Sequence, residues 1–563
     1  MVRASSATLL IPVLKSWLIF TCGVVLLCAG AETNSGIRFT SIAPQAGIHF
    51  VHHSGAAGKK YLPESLGSGC AFVDLDGDGW ADIVLLNDRD WTNTGKKYLP
   101  GFYRNNHNGT FTDITRGSGL DVQLYAMGIA VADYDNDGLP DIYITALEGD
   151  RLFHNEGHGH FRDVTAASGI RNANFGTSAA WFDYDRDGKA DLLVANYVEW
   201  SPETDKRCSM DGKTKSYCTP EAYTGKSLKL YRNLGDGRFE DVTAKAGLSD
   251  ASSKSLGITI FDYDNDRWPD IFVANDTQPN KLYHNNRNGT FTETAVPAGV
   301  AYSEDGTARG GMGTDAADFD RSGRPDLVIG NFANQSMALY HNEGNGLFTD
   351  RAGAGPIARA SLRSLTFGTF FFDYDLDGWP DIFAANGHLE PDIHKYSPNL
   401  DYAEPPLLFH NVNGNFEDAS KSVGSDFEKP IVGRGAAYAD FDHDGDLDIL
   451  INNNNGPAIL FRNDGGNRNN WINIRLVGRK SNRSGLGAVV RVESASGKQW
   501  QSVHSGSSYA SASDLALTFG LKQDKNISRI EVDWPSGKTQ QFTNLPANKF
   551  IVVDENTGLS QSR

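Results

Sequence analysis

Positive charge is scarce in this 563-residue chain: 52 lysines and arginines face 70 aspartates and glutamates, a formal net charge of −18. That balance excludes nucleic acid as a partner, because its phosphates would be repelled. Cysteine is sparse too, at five residues, of which Cys70, Cys208 and Cys218 lie beyond the first 31 positions. Apolar runs long enough to span a membrane are missing after the N-terminus, and sustained helical periodicity is missing throughout, so neither a membrane-spanning helix nor a helical bundle is expected. No ordered Ser/His/Asp set, phosphate-cradling glycine loop, zinc-ligand spacing or RGD tripeptide occurs, and no catalytic residue is read from the sequence.

What the chain does have is an aspartate ladder, Asp-x-Asp-x-Asp-Gly-x-x-Asp, written seven times between apolar β-type runs. The first places Asp74, Asp76, Asp78 and Asp82; the second Asp133, Asp135, Asp137 and Asp141; the third Asp183, Asp185, Asp187 and Asp191. The fourth has Asp262, Asp264, Asp266 and Asp270, and the fifth Asp318, Asp320, Ser322 and Asp326. The sixth has Asp373, Asp375, Asp377 and Asp381, and the seventh Asp440, Asp442, Asp444 and Asp448. Carboxylates at alternate positions of a tight loop converge on one point and call for a hard cation. Calcium, with six to eight oxygen ligands in tolerant geometry, fits best. The ladder looks like the start of an EF-hand loop, but strand-forming residues flank it and it ends at the ninth position. Up to seven calcium sites are therefore expected, and seven divalent ions would bring the charge to about −4. Ladders four and five are expected to bind more weakly. Arg267 stands in the fourth where glycine permits positive φ, and Ser322 replaces a carboxylate in the fifth.

Each ladder belongs to a longer unit, with strands before and after it, an aromatic-x-Asn step such as Phe153-His-Asn155, and a Gly-x-Phe-x-Asp strand such as Gly159 to Asp163. Four short strands per unit, with 60 glycines and 11% aromatics overall, are the content of a β-propeller blade. The seventh unit lacks its last strand, and the missing piece stands near the N-terminus, from Arg38 and Phe39 to Gly47. The predicted fold is therefore all-β: a seven-bladed calcium-binding propeller over residues 37–465, whose N-terminal strand closes the last blade and removes open edges. Before it, Arg3, Lys15, the apolar run from Trp17 to Cys28 and Ala29-Gly-Ala31 have the layout of a signal peptide over residues 1–31. A secreted or otherwise extracytoplasmic product is expected, without a transmembrane segment after cleavage. Cys208 and Cys218 bracket a polar insertion and are expected to form a disulfide in such a compartment, with Cys70 a buried core residue. A second insertion runs from Gly387 to about Pro406 and holds His388 and His394, read as packing or loop residues like His52 and His53. His154, His284, His341 and His410 recur at one position of the unit and are read as repeat structure.

From residue 470 the period vanishes, and alternating strands give a small β domain over residues 470–555 followed by a flexible tail, 556–563. The ladders resemble FG-GAP/VCBS repeats, as in integrin α-subunit propellers. The tail module resembles the ASPIC/UnbV domain through Leu476-Val-Gly, Ser481-Asn-Arg, Gly485-Leu-Gly-Ala, Ser505-Gly-Ser-Ser-Tyr509, Phe519-Gly-Leu and Trp534-Pro-Ser-Gly. Together they resemble the secreted family that includes cartilage acidic protein, which implies a calcium-binding, adhesive propeller with no established reaction. The leading expectation is thus a binding or adhesion module for an extracellular protein or glycan. The alternative is a calcium-dependent polysaccharide lyase or hydrolase that uses the propeller as a scaffold.

Overall fold

Each unit opens with a strand of small and apolar residues, such as Ala126–Ala132 (AMGIAVA), that is buried along its whole length. Smallness is a packing requirement. A Cβ added to Gly128 would lie 2.3 Å from the Thr177 carbonyl, and one on Gly313 would lie 2.2 Å from that of Phe367. Successive inner strands therefore approach backbone to backbone. The computed structural model describes residues 36–92 and 95–561. Among them, seven antiparallel four-stranded sheets follow one another along the chain, the first six running from inner to outer strand in sequence order.

The first sheet joins Cys70–Val73, Asp82–Leu85, Gly101–Asn105 and Phe111–Asp113. The second joins Ala126–Ala132, Asp141–Ala146, Arg151–Asn155 and Phe161–Asp163. The third to sixth repeat this order from inner strands at Gly176–Phe182, Ser255–Phe261, Gly311–Ala317 and Thr366–Phe372. The seventh supplies only three strands in sequence, Gly433–Ala439, Asp448–Asn453 and Ile459–Asp464; its outer strand is Arg38–Ser41, paired Arg38 with Asp464 and Phe39 with Asn463. Inner strands of consecutive sheets lie side by side, and that of the seventh lies against that of the first, which closes the ring. Apolar clusters between adjacent sheets hold it, as where Phe72, Ile83 and Leu85 meet Ala437, Phe441 and Leu460.

Beyond the ring lie two further sheets that share one core. Asn470–Val477 pairs with Leu517–Lys522 and, in parallel, with Lys549–Asp554; Val489–Ser494 pairs with Gly497–Ser502 and Asn526–Asp533. Ile472 and Ile474 of the first meet Val490, Val492 and Ile530 of the second. The flexible tail expected from residue 556 needs correction: Gly558–Gln561 forms an edge strand on Lys549–Asp554, because Leu559 packs against that same core. The expected leader over residues 1–31 lies outside the described residues. Among those described, no helix is long and apolar enough to cross a membrane.

Candidate metal centres

All seven ladders fold into the hairpin between a sheet's inner and second strands. The first aspartate turns back into its own loop: Asp133 accepts the N–H of Asp137 (3.0 Å) on Oδ1 and that of Gly138 (2.7 Å) on Oδ2. The same pair of bonds recurs at Asp74, Asp183, Asp262, Asp318, Asp373 and Asp440. Winding the loop this tightly needs two left-handed residues. The sixth position has φ between 72° and 105°, and the fourth, which the sequence did not single out, has φ between 55° and 76°. Arg267 adopts φ 72° at a sixth position, a conformation that costs an L-residue about 1 kcal/mol and glycine nothing.

The ninth aspartate lies under the loop. Asp82 is 2% exposed and its six counterparts 0%. One oxygen of each takes the N–H of the loop's second residue, as from Tyr134 to Asp141 (3.1 Å), and the other takes the N–H of the aromatic-x-Asn asparagine, as from Asn155 (2.8 Å). Ligand atoms of Asp74, Asp76 and Asp78 lie within 4.8 Å of one another, as do those of Asp133, Asp135 and Asp137.

Burial, and after it the neighbouring carboxylates, pushes these acids up: Asp133, Asp183 and Asp262 to about 7. Asp82 and Asp326 rise to about 8, where burial again dominates over the charges nearby. Buried Oδ1 atoms of Asp76, Asp185 and Asp442 have no hydrogen-bond partner, and neither does the Ser322 hydroxyl. Clustered, desolvated carboxylates with orphaned oxygens fit a cation.

The loops are unequal. In the second, fourth, fifth and sixth sheets a third-strand histidine joins the carboxylates: His154 with Asp135 and Asp141, His284 with Asp264 and Asp270, His341 with Asp320 (2.8 Å), His410 with Asp375 and Asp377. Recurrence at one position was the only signal for them, and it reads equally well as structure. Arg287 grips Asp266 of the fourth ladder through Nε (2.8 Å) and Nη2 (2.6 Å). The seventh carries an extra buried acid, Asp446, whose Oδ1 is unpartnered and whose carboxyl burial raises to about 9.

Asparagines link the loops around the ring. In each sheet the aromatic-x-Asn side chain donates to the carbonyl of the second ladder residue in the preceding sheet. The seven bonds, from Asn105, Asn155, Asn233, Asn285, Asn342, Asn411 and Asn463, measure 2.7–3.0 Å.

The C-terminal domain covers this ladder face, with Asn136 accepting from the Arg483 N–H (2.7 Å) and Asp318 from the Trp500 indole (2.6 Å). Its serine-rich loop, Ser505 to Ser513, enters the axial channel and bonds to inner strands of five sheets. Thr314 and Ser508 exchange backbone bonds, Ile129 N–H donates to Ala510, Phe72 N–H to Ala512, Trp181 N–H to Ser505 Oγ and Tyr438 N–H to Ser513 Oγ. Tyr509 crosses the ring to donate to the Leu66 carbonyl (2.8 Å).

Cys208 and Cys218 are disulfide-bonded, and Cys70 is buried with its thiol pushed up to about 12 by burial. His388 is buried, lowered to about 4 by burial and then by the Arg434 charge, and accepts the Glu390 N–H (3.1 Å). His394 is exposed beside Asp401, His53 stacks on Tyr98, and His52 lies 3.4 Å from Asp88.

A ring of four-stranded sheets, each with an acidic loop at the same end, defines a repeat propeller with a capping β domain. Residues 74–144, 133–194, 211–273, 262–329, 318–384 and 373–451 match the FG-GAP-like repeat, and residues 478–560 match the ASPIC and UnbV domain. The chain belongs to the FG-GAP-like repeat family.

It is 27% identical to cartilage acidic protein 1 of Mus musculus over 502 residues, 84% of this chain and 71% of that protein. To the Homo sapiens protein it is 28% identical over 304 residues, 53% of this chain and 43% of that one, so less than half of the human relative is spanned. Among solved structures, an Agrocybe aegerita lectin that recognises non-reducing terminal N-acetylglucosamine aligns at 18% identity. The alignment covers 63% of this chain and 79% of the lectin, with a TM-score of 0.38, too slight a likeness to bear on what this chain binds.

Proposed function

We propose that this chain is a secreted, calcium-binding propeller that acts as a binding or adhesion module for an extracellular protein or glycan. The observation that carries the reading is the repeated desolvated carboxylate cluster, with carboxyl pKa values pushed up by burial and orphaned oxygens in the first, third and seventh ladders. In the second loop Asp133, Asp135, Asp137 and Asp141 would hold the ion, and the matching residues would hold it in the others, Ser322 offering a hydroxyl in the fifth. Bound calcium supplies the positive charge these clusters lack. The asparagine links then pass each loop's order to its neighbour.

The Cys208–Cys218 disulfide supports export, since such bonds persist in oxidising compartments. The leader-like residues 1–31, the ring over 37–465 and the module from 470 are the proposed divisions. Binding is supported by a rigid ring that carries long insertions. In the insertion after the sixth ladder His388, Glu390 and Glu404 are each at most 5% exposed, with Glu390 held by Lys60 and Glu404 by the Leu365 N–H, which favours binding over polysaccharide cleavage.

The test is incubation of the mature chain with extracellular polysaccharides and matrix proteins, in calcium and in EDTA, following retention and product release. Calcium-dependent retention without products is expected. New reducing ends or unsaturated sugars would overturn the reading.

A further inference from the structure

Between the ladder loops and the C-terminal domain lies a cavity of about 770 Å³, a volume that suits a small ligand. Six arginines and nine aspartates line it, but six of those aspartates are first ladder residues turned into their own loops. Of the three others, Asp514 is paired with Arg475 (3.0 Å) and Asp533 with Arg491 (2.7 Å), and Asp315 is buried against His504 (3.1 Å) and the Phe371 N–H (2.8 Å). Arg186 and Arg321 donate only to carbonyls, Arg186 to Pro535 and Arg321 to Ser496 and Gly378. Cation-filled ladders would leave the cavity electropositive.

The links between neighbouring loops are uneven around the cavity, and Gly77 and Leu376 of the first and sixth loops carry no side chain that could form one. In the second, fourth, fifth and seventh loops the fourth residue donates to the sixth carbonyl of the next loop: Asn136 to Gly188, Asn265 to Gly323, Arg321 to Gly378 and His443 to Gly79. Between the third and fourth sheets Arg186 instead bonds to the C-terminal domain and stacks 5.3 Å over Trp268. There Arg267 occupies the left-handed position that is glycine in the six sister loops, with its side chain 67% exposed. It lies 3.6 Å from Asp533, whose charge Arg491 and Thr539 already meet at 2.7 and 2.6 Å. A strained arginine without a necessary structural partner marks a binding position. Behind it the wall offers indole faces and neutral hydroxyls and amides, among them Trp500, Ser505 and Gln501. Aromatic faces, neutral hydrogen-bonding groups and guanidinium forks together suit a sugar that carries a carboxylate.

We propose that this cavity binds an acidic saccharide, entering between the third and fourth sheets, with Arg267 and Arg186 taking its carboxylate. This rests on the cation-filled ladders proposed above, since an unneutralised ring of carboxylates would repel the ligand.

Calorimetry on the full mature chain in calcium, with trigalacturonate and neutral maltotriose, tests it. Trigalacturonate is expected to bind, maltotriose not to, and EDTA to abolish the signal. Arg267→Gly restores the residue of the sister loops, so its melting temperature should equal or exceed the wild type's while trigalacturonate affinity falls about tenfold. Arg186→Gln should weaken binding similarly. Equal binding of the two saccharides, absence of binding, binding undiminished in EDTA, sulfate binding as tightly as trigalacturonate, or full affinity in Arg267→Gly would each overturn the proposal. Direct calcium titration separates the two readings: calcium uptake without saccharide binding fails this proposal alone, whereas absence of calcium uptake fails the cation reading itself.

Discussion

Asn105 donates its side-chain amide to the carbonyl of Phe441 across 336 residues of sequence, at 2.8 Å, and so joins the first sheet to the last. The same amide also reaches the Ala81 carbonyl (3.0 Å), and the residue is 3% exposed. Asn105→Ala leaves two buried carbonyls without a donor. It is expected to cost ~1–3 kcal/mol for each group unsatisfied, read as a lower urea midpoint in calcium. An unchanged midpoint would show that the link bears no load.

Cation removal is expected to destabilise the whole ring. A site held at a hundred times its dissociation constant contributes ~2.7 kcal/mol, and several sites act together. Scanning calorimetry in millimolar calcium and in EDTA should separate the two melting temperatures by about 10 °C or more. Coincident transitions would contradict the cation reading.

Calcium titration should resolve at least two classes of site. The weak class is expected to hold the fourth ladder, where Arg287 occupies Asp266, and the fifth, where Ser322 replaces a carboxylate. Ser322→Asp should tighten the weak class by about tenfold, equivalent to ~1.4 kcal/mol. Seven indistinguishable sites would sink this.

Asp276 offers a pH test away from the ladders. It is fully buried and accepts from the Tyr197 hydroxyl (2.6 Å), and burial raises its carboxyl to about 7 against the Tyr197 bond and the Lys254 charge. Between pH 4 and 7 the folded state therefore holds a proton that the unfolded state has lost, so stability falls as pH rises through that window. Each pKa unit corresponds to ~1.4 kcal/mol. Asp276→Asn should gain stability relative to wild type at pH 8 over pH 5, measured by urea unfolding at both; a difference independent of pH would refute it.

Periodic features were legible in the sequence because each repeat states them locally: the ladders, the sixth-position glycines, and the strand Arg38–Ser41 that completes the seventh sheet. The asparagine links were present as a repeated letter, but their partners lie 79 or more residues away in the neighbouring unit, as with Asn342 and Tyr263. Nothing in the spacing pairs them. The left-handed fourth position hid behind unlike residues, among them Leu376, Arg186 and His443. The Ser505–Ser513 loop was visibly rich in hydroxyls and glycine, yet its place in the channel depends on a ring assembled from the rest of the chain.

That loop sets an order on synthesis. The inner strands it bonds to all leave the ribosome before Ser505 does, and Arg38–Ser41 must wait for Ile459–Asp464 to emerge. Until then the nascent chain presents an unpaired strand at one end and an open axis at the other. Completion therefore comes late, through contacts between the most distant segments, and it should be slow for that reason. A chain truncated before residue 505 would be left with a hollow centre and fully formed walls.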